Sequence, residues 1–400
     1  MKLHEYQAKQ ILSHYGIKIP HGKVAYTPHE AKRVAGEVSA RGPWVVKAQI
    51  QSGARPKGKF KEKSAGRGSG VRIVTSRRAV FNEAEEMLGA TLVTPQTDKK
   101  GKIVTRVYVE AYQQVTQLFY VGFAVDRMTA TITLLLANLE TDSITDIISK
   151  RPETILRLPL DFEKGVTIKQ TRQAAAFLEL SEKRVAKLKK YIQGLFKVFV
   201  ETDALMLEAN PTGVSKRGDF IALDAKLTID DKALYRQPDM IPLFDAYEVE
   251  ERELRAAKNG FQYRALTGSI GCIVNGDGVA LAAMDLIRSR GGETACFLNV
   301  KGGVDRDKIA SGIKLIMTNP RVEGILINVL GGFLRCNLVA DGIIAAASEV
   351  GLNVPLVVRF EGTNKDEAKQ ILETSRLPVI IAEDMQDSVE KLLQAMEEGD

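Results

Sequence analysis

Residues Gly324-Ile-Leu-Ile-Asn-Val-Leu330, then Gly331-Gly332, then Phe333-Leu-Arg-Cys-Asn-Leu-Val-Ala-Asp-Gly-Ile-Ile344 form the stretch that decides the fold. The short run rich in Ile, Leu and Val is typical of a fully buried strand. Two glycines permit a sharp turn and the close approach of another group to the backbone. Apolar residues at helical spacing follow, so we predict a strand, a turn and a helix whose N-terminus attracts anions. A packing turn without a ligand is the alternative, because a two-glycine signal is weak.

The same strand–loop–helix pattern recurs through the C-terminal part of the chain. Most of the loops contain glycine, and alternation of this kind indicates a parallel, doubly wound sheet. The loops then lie together at the C-terminal edge of that sheet, where ligands bind. The predicted strands are 269–274, 294–300, 324–330, 354–360 and 378–382.

The N-terminal part mixes helices with antiparallel strands. Thr27-Pro-His-Glu30 places Thr at an N-cap and Pro at the first helical position, which predicts a helix to about residue 40. The chain from about 233 to 266 is charged and aperiodic, and we interpret it as the connection between domains. Further predicted helices cover 3–15 and about 170–200, and predicted strands cover 22–26, 43–50, 104–111, 118–127, 129–137, 203–211 and 218–226.

Composition limits the class of protein. Four hundred residues, with 44% hydrophobic and 26% charged, are typical of a soluble globular chain of two or three domains. No apolar run is long enough to span a membrane, and the polar N-terminus is not a signal sequence. The three cysteines form no CxxC pair and suit a reducing cytosol, so we expect a cytoplasmic location.

The net charge of +6 comes largely from local lysine clusters, which are usually solvated faces. We therefore expect no nucleic-acid partner, whereas anionic small substrates fit this charge. All four histidines lie within the first 29 residues. A histidine nucleophile or base acting in the later domain would have to come from another chain.

Lys47 lies in the middle of a predicted apolar strand, where an ammonium group is costly unless it meets an anion. The loop that follows, Gln51-Ser-Gly-Ala-Arg-Pro-Lys-Gly-Lys-Phe60, is basic and contains glycine. This combination predicts a phosphate clamp. A surface hairpin with a lysine that extends into solvent explains the same residues equally well.

Acids and an amide end two later strands. Glu208 and Asn210 share one face of their strand, and hairpin pairing would bring Asp224 beside them. Hard oxygen ligands on adjacent strand ends suit a Mg²⁺ ion that keeps its waters and holds nucleotide phosphates. Turn-forming residues at strand ends are the alternative interpretation.

Short motifs distributed over essentially the whole chain closely resemble, in order and spacing, the β subunits of succinyl-CoA synthetase (succinate–CoA ligase, ADP-forming). They are Leu3-His-Glu-Tyr-Gln-Ala-Lys9, Trp44-Val-Val-Lys47, Glu208-Ala-Asn-Pro211, Leu223-Asp-Ala-Lys226, Arg236-Gln-Pro-Asp239, Val274-Asn-Gly276, Gly331-Gly332 with Arg335-Cys336, and Ala340-Asp-Gly-Ile-Ile344. The resemblance implies an ATP-grasp fold with two subdomains in residues 1–240. It also implies a flavodoxin-like CoA-ligase domain, with a doubly wound parallel sheet, in residues 245–400.

The resemblance also implies an activity. The family forms succinyl-CoA reversibly from succinate, CoA and a nucleoside triphosphate with Mg²⁺, as a substrate-level phosphorylation step of the tricarboxylic acid cycle. The phosphoryl group passes through succinyl phosphate and a phosphohistidine of a separate α subunit. The implied assembly is therefore αβ or α₂β₂, with no catalytic residue in this chain and with CoA bound mainly by the α subunit.

The resemblance assigns site residues by their positions in the matching motifs. Pro20 stands where ATP-using members have proline, which favours ATP over GTP. The implied ATP site comprises Lys47, Ala54, Arg55, Pro56, Glu110 and Gln113; the implied Mg²⁺ ligands are Asn210 and Asp224; Asn275, Gly332, Phe333 and Leu334 would face the carboxylate substrate and the partner's phosphohistidine.

Several positions depart from the family pattern. Ala54 and Pro56 replace loop glycines, which restricts φ and removes one N–H. Other departures are Leu118 for an acid, Asn138-Leu-Glu-Thr141 for Thr-Glu-Gly-Gly, Asn299-Val-Lys301 for Asp-Val-Gly, and Asn337 for Asp. We favour a working ligase subunit. A weakened paralogue that is a non-catalytic partner of an α-type subunit, and the large subunit of a malate– or citrate–CoA ligase, stay open.

Overall fold

The computed structural model of the chain describes residues 1–139, 144–300, 305–332 and 334–398. It divides into two compact units, Met1–Glu248 and Val249–Asp400. The first unit contains, in chain order, α1 (Glu5–His14), β1 (Gly22–Ala25), α2 (Pro28–Val38), β2 (Trp44–Ala48), β3 (Lys59–Phe60), β4 (Val71–Val74), α3 (Arg77–Met87), β5 (Thr91–Val93), β6 (Lys102–Ile103), β7 (Val107–Ala111), β8 (Val115–Asp126), β9 (Thr131–Asn138), α4 (Ile144–Lys150), β10 (Leu156–Leu160), α5 (Ile168–Phe177), α6 (Glu182–Glu201), β11 (Ala204–Ser215), β12 (Phe220–Ala222) and β13 (Ala225–Ile229). Short 3₁₀ helices occupy Arg55–Lys57, Lys63–Ala65, Pro152–Thr154, Asp231–Arg236, Pro238–Leu243 and Ala246–Glu248.

The smaller subdomain of the first unit is built on an antiparallel sheet with the strand order β1-β7-β2-β4. Helices α2 and α3 pack on it around Trp44 and Val46. The predicted helix start at Thr27 is confirmed, because the Thr27 hydroxyl accepts a hydrogen bond from the Glu30 N–H and Pro28 is the first helical residue. Strands β3, β5 and β6, which fall between β2 and β7 in the sequence, form a separate antiparallel sheet.

The larger subdomain is built on the sheet β10-β9-β8-β11-β12, in which β13 also pairs with β11. Helix α6 covers this sheet, and Phe123 of β8 packs against Phe196 and Phe199 of that helix. Helix α1 joins the same core through Ala8 and Leu12. The N-terminal helix therefore belongs to the larger subdomain, although the strand that follows it belongs to the smaller one.

The predicted single strand 218–226 is wrong, because the structure divides it into β12 and β13. Both pair with β11, and the ladder is irregular between them, where Asn210 and Pro211 face Leu223 and Asp224. Pro211 has no N–H to donate, so regular pairing cannot continue through it. The Asn210 N–H still donates to the Asp224 carbonyl oxygen at 3.2 Å, which brings these two side chains to neighbouring positions.

The second unit contains a sheet with the strand order β14-β16-β15-β17-β18-β19. All its neighbours are parallel except β14, and helices cover both faces, so the predicted doubly wound parallel sheet is confirmed. Its elements are α7 (Glu251–Lys258), β14 (Gln262–Ala265), β15 (Ile270–Val274), α8 (Asp277–Ser289), β16 (Thr294–Asn299), α9 (Arg306–Met317), β17 (Gly324–Gly331), α10 (Cys336–Val350), β18 (Leu356–Gly362), α11 (Lys365–Ser375), β19 (Val379–Ala382) and α12 (Met385–Glu397).

We predicted an aperiodic connection from about 233 to 266. That prediction is wrong for its second half, which forms α7 and β14. Glu250 caps α7 by accepting hydrogen bonds from the N–H groups of Arg252 and Glu253. Strand β14 has no clear local pattern and exists because it pairs with β16 along the sheet edge. The cysteines Cys272, Cys296 and Cys336 are buried and unpaired. Among the described residues, no helix combines the length and the apolar character needed to cross a bilayer.

Phe123→Ala tests the larger core. We expect it to lower the free energy of unfolding of the first unit by about 3–5 kcal/mol, because it removes a buried ring and leaves a cavity between β8 and α6. Urea denaturation followed by the fluorescence of Trp44, the chain's single tryptophan, measures this unit. Phe162→Ala is the control, since that ring is 66% exposed. Equal midpoints for the two variants would contradict the packing described.

Candidate functional site

Charged side chains meet in the first unit where α1 approaches β2, β7 and the β12–β13 connection, and all of them are buried except Asp224, whose side chain is 20% exposed. We call this group the buried ion cluster. Its members are Glu5, Lys9, Lys47, Arg55, Glu110 and Asp224.

Glu5 is the centre of the buried ion cluster. Its Oε1 lies 2.8 Å from the Lys9 Nζ and 2.7 Å from the Lys47 Nζ, and its Oε2 lies 2.6 Å from an Arg55 guanidinium nitrogen. Burial disfavours the charged carboxylate, but Lys47, Lys9 and Arg55 outweigh that effect and hold the pKa of Glu5 well below its usual range. Glu5 is therefore ionised, and one carboxylate orients three cations.

Lys47 is only 6% exposed, so the alternative of a strand lysine that extends into solvent is wrong. Its ammonium donates to Glu5, to the Leu223 carbonyl oxygen at 2.7 Å, and lies 2.7 Å from a Glu110 carboxylate oxygen. The anion that a buried lysine requires is thus supplied by the chain itself.

Lys9 is fully buried beside Lys47 and shares its partners. Its Nζ lies 2.5 Å from a Glu110 carboxylate oxygen and donates to the Leu223 carbonyl oxygen at 2.7 Å. Burial opposes the charge on Lys9, but Glu5 and Glu110 outweigh it and raise the pKa of the Lys9 ammonium. Lys9 of α1 and Lys47 of β2 therefore both form ion pairs with Glu5 and Glu110.

The loop after β2 contains a left-handed residue that is not glycine. Ala54 has φ of 57°, the left-handed conformation that glycine adopts freely and alanine adopts at a cost of about 1 kcal/mol. This turn leads into the 3₁₀ helix Arg55–Lys57, in which Pro56 is exposed. Arg55 points inward and donates to the Ala48 carbonyl oxygen at 2.9 Å. Of the three loop residues assigned to ATP, the structure brings only Arg55 into the buried ion cluster.

Of the pair predicted to hold Mg²⁺, Asn210 and Asp224, the second already contacts a cation of the chain, and the assignment of both stays a prediction. An Asp224 carboxylate oxygen lies 2.6 Å from Arg55, and the other accepts the Ala225 N–H at 2.7 Å. Glu208 is engaged as well, with the Tyr120 hydroxyl at 2.9 Å and Lys226 at 3.2 Å. Within the described ranges, no group of three or more His, Cys, Asp or Glu side chains could hold a metal ion.

Two cavities border this region. One of about 150 Å³ is lined by Gly53, Arg55 and Lys226, and a Cβ added at Gly53 would lie 2.4 Å from the Lys226 Nζ. A larger one of about 660 Å³ is lined by Pro20, Gly22 and Tyr108, among others. Pro20, predicted to favour ATP, therefore lies at the wall of an open cavity.

The residues predicted to line the adenine and ribose are in different surroundings. The carboxylate of Glu110 is buried against Lys9 and Lys47. Gln113 lies in the loop after β7 and is half-buried. The assignment of Gln113 stays a prediction.

The second candidate site is the C-terminal edge of the sheet in the second unit. The strand order reverses between β15 and β17, and this switch point is where open α/β sheets bind ligands. Asn275 follows β15 and spans the gap, since its amide donates to the Leu330 carbonyl oxygen at 2.6 Å and accepts the Leu330 N–H at 2.8 Å. The predicted residue Asn275 and the diglycine are thus brought together.

The two glycines have different roles. A Cβ on Gly331 would lie 2.8 Å from the Thr363 nitrogen, whereas one on Gly332 would meet open space. Helix α10 begins only at Cys336, whose N–H donates to the Thr363 carbonyl oxygen, so the expectation of a helix directly after the glycines is wrong. Leu334 is buried in the core, and any contact with substrate would fall to its main chain. Phe333 lies outside the described residues.

A row of polar side chains, not predicted from the sequence, lies in register with Val274, the last residue of β15. Asn299, Asn328 and Arg359 share one register across β16, β15, β17 and β18. Among the described residues, the side-chain contacts of Arg359 are long, 3.3 Å to Asn328 and 3.4 Å to Glu361. Among the described residues, the Asn299 Oδ1, the Asn328 Nδ2 and the Arg359 Nε are buried without a hydrogen-bond partner in the protein, so they are available to a polar ligand or to water.

Glu5 and Lys9 were also missed as site residues. Both stand in the first motif, and their i, i+4 spacing on a helix is the signal that could have found them. Such a pair is normally solvent-exposed, and only the distant partners Lys47, Arg55 and Glu110 keep this one buried.

Family models match both units. The model described as "ATP-grasp domain" matches residues 2–214, and the model described as "CoA-ligase" matches residues 273–393. The predicted order of an ATP-grasp fold and a CoA-ligase domain is confirmed.

Full-length relatives carry one name. The "Succinate--CoA ligase [ADP-forming] subunit beta" of Rhodospirillum rubrum is 45% identical over 400 residues, which is 100% of both chains. The protein of the same name from Paracoccus denitrificans is 44% identical over 397 residues, covering 99% of this chain and 100% of the relative.

A solved structure extends the likeness in fold. The ATP citrate lyase from Methanothrix soehngenii in complex with citrate and coenzyme A has a TM-score of 0.71 at 15% identity, covering 98% of this chain and 99% of that chain. At this identity the comparison shows the fold alone.

Glu5→Gln tests the buried ion cluster. At pH 7 we expect the free energy of unfolding of the first unit to fall by about 3–5 kcal/mol, because three buried cations lose an anion. The folded-state pKa of Glu5 is lowered, so its contribution is present above the unfolded pKa of about 4.3 and is lost as the pH falls toward the folded value. The difference from the unaltered chain should therefore shrink below about pH 4.

Urea denaturation at pH 7 and at about pH 3, again followed by Trp44 fluorescence, measures this difference. Glu182→Gln is the matched control, since that side chain is 73% exposed and should change stability by less than about 1 kcal/mol. A difference for Glu5→Gln that is the same at both pH values would contradict an ionised, paired Glu5.

Proposed function

This chain belongs to the family of succinate–CoA ligase β subunits, and we propose that it works with an α-type subunit to convert ATP, succinate and CoA into ADP, phosphate and succinyl-CoA. The observation that carries this is the full-length likeness, at 45% identity, to a chain of that name, with both the ATP-grasp and the CoA-ligase parts present in order. Mg²⁺ as cofactor, the αβ or α₂β₂ assembly and a cytoplasmic location are further parts of the proposal.

The first unit would bind the nucleotide. The open cavity beside Pro20 supports a place for the base, and the neighbouring cations Lys47 and Arg55 support a place for phosphate oxygens. In the arrangement described, these cations are neutralised by Glu5, Glu110 and Asp224. The phosphates would therefore have to exchange with carboxylates of the chain before Lys47 and Arg55 could hold them.

The second unit would bind the carboxylate substrate. Asn275 holds the loop after β15 to the end of β17, and Gly332 leaves the backbone open to an approaching group. Arg359, with its long contacts and its unpartnered Nε among the described residues, supports an anion at the same edge. No histidine occurs beyond residue 29, so a phosphohistidine that reaches this edge would come from the partner subunit.

The assembled enzyme tests the activity. Alone, this chain should not release ADP. Co-purified with the α-type subunit of the same source, it should release ADP only when ATP, CoA and succinate are all present, in assays that omit each component in turn. Assembly without turnover, with malate, citrate and GTP tried as well, would contradict the proposal and favour the non-catalytic paralogue. Turnover with malate or citrate but not succinate would favour the related ligase.

Arg359→Met tests the carboxylate assignment. The loss of a charge-assisted contact should raise the KM for succinate about tenfold to a hundredfold in the assembled enzyme, with little change in the KM for ATP. Arg288→Met is the matched control, because that arginine is exposed on α8 of the same unit. An unchanged KM for succinate would remove Arg359 from the substrate site.

A further inference from the structure

Asp224 is the only member of the buried ion cluster that the resemblance assigns to a metal ion, yet its carboxylate already has a cation. An Arg55 guanidinium nitrogen lies 2.6 Å from its Oδ2, and its Oδ1 accepts the Ala225 N–H at 2.7 Å. Both oxygens are therefore engaged by the protein.

Arg55 is held in this position from several sides. It is 5% exposed, and it contacts Glu5, Asp224 and the Ala48 carbonyl oxygen. Its own carbonyl oxygen accepts the N–H groups of Gly58 and Gly70, which fixes the loop that carries it. Asp224 and Glu5 raise the pKa of the guanidinium against the effect of burial, so it stays charged.

The charges of the buried ion cluster balance. Three carboxylates, those of Glu5, Glu110 and Asp224, face three cations, those of Lys9, Lys47 and Arg55. A divalent cation placed on Asp224 beside Arg55 would add two positive charges to a group whose charges already balance, and it would be repelled by the buried guanidinium.

The contacts of Arg55 also join the two subdomains of the first unit. The loop from 51 to 58 follows β2, whose core is that of the smaller subdomain. Glu5 and Asp224 belong to elements whose core is that of the larger subdomain. The guanidinium thus fastens the loop across the junction of the two cores.

We propose that Arg55 is an internal cation of the nucleotide site and that its guanidinium takes the place of a metal ion on Asp224. The same group keeps the loop from 51 to 58 attached to the larger subdomain until the guanidinium is displaced. The inference rests on the proposed function, since it takes Asp224 to lie in a nucleotide site. The chain without nucleotide is then a form with low affinity for divalent cations. Binding of a divalent cation requires the Arg55 guanidinium to leave Asp224.

The test is a Mn²⁺ titration of the full chain without nucleotide, with bound Mn²⁺ measured by electron paramagnetic resonance. We expect weak binding to the unaltered chain and binding at least about tenfold tighter to Arg55→Met, because the competing charge is gone. Arg67→Met removes the same charge from an exposed position further along the chain and should change the affinity by less than about twofold. Equal affinities for Arg55→Met and Arg67→Met would overturn the proposal.

A second pair of variants assigns the site and guards against misfolding. The double variant Arg55→Met with Asp224→Asn should lose the gain in affinity; retention of the gain would overturn the assignment to Asp224. Arg55→Gln keeps an amide donor for Glu5 and replaces Arg55→Met if Trp44 fluorescence shows that the latter is unfolded. Turnover is not part of this test. An inactive assembly would therefore contradict the proposed function alone, and unchanged Mn²⁺ binding in an active enzyme would contradict this inference alone.

Discussion

The first unit depends on one buried carboxylate, that of Glu5, held between Lys9, Lys47 and Arg55. Each of these cations would be costly to bury alone, and each reaches the same carboxylate from a different part of the chain. Removing any one of them leaves the cluster with one negative charge in excess. The cluster is therefore both a structural connection between two cores and the place where a nucleotide's charges would have to be accommodated.

The structure shows how the loop after β2 accommodates Ala54 and Pro56, two of the departures from the family pattern. Ala54 takes the left-handed backbone conformation that glycine adopts freely, Pro56 is exposed, and Arg55 is buried. The departures at 140–141 and 301 lie outside the described residues. The substitutions after β2 therefore restrict the freedom of the backbone and remove one N–H group.

The candidate site in the second unit differs from the buried ion cluster in how its polar groups are paired. Where the buried ion cluster is fully paired, the edge of the parallel sheet has buried polar atoms without partners among the described residues, on Asn299, Asn328 and Arg359. A paired site must be opened by its ligand, whereas an unpaired one gains hydrogen bonds when a ligand arrives.

The sequence by itself determined the doubly wound sheet, the helix start at Thr27 and the family, because these depend on local periodicity, capping and motif order. It also pointed to Lys47, since a lysine in an apolar strand needs an anion. Only the tertiary structure decided that the anions are Glu5 and Glu110, that Arg55 holds Asp224, and that β14 completes the sheet. These contacts join residues far apart in the chain, and neither spacing nor composition can specify which distant charges the fold brings together.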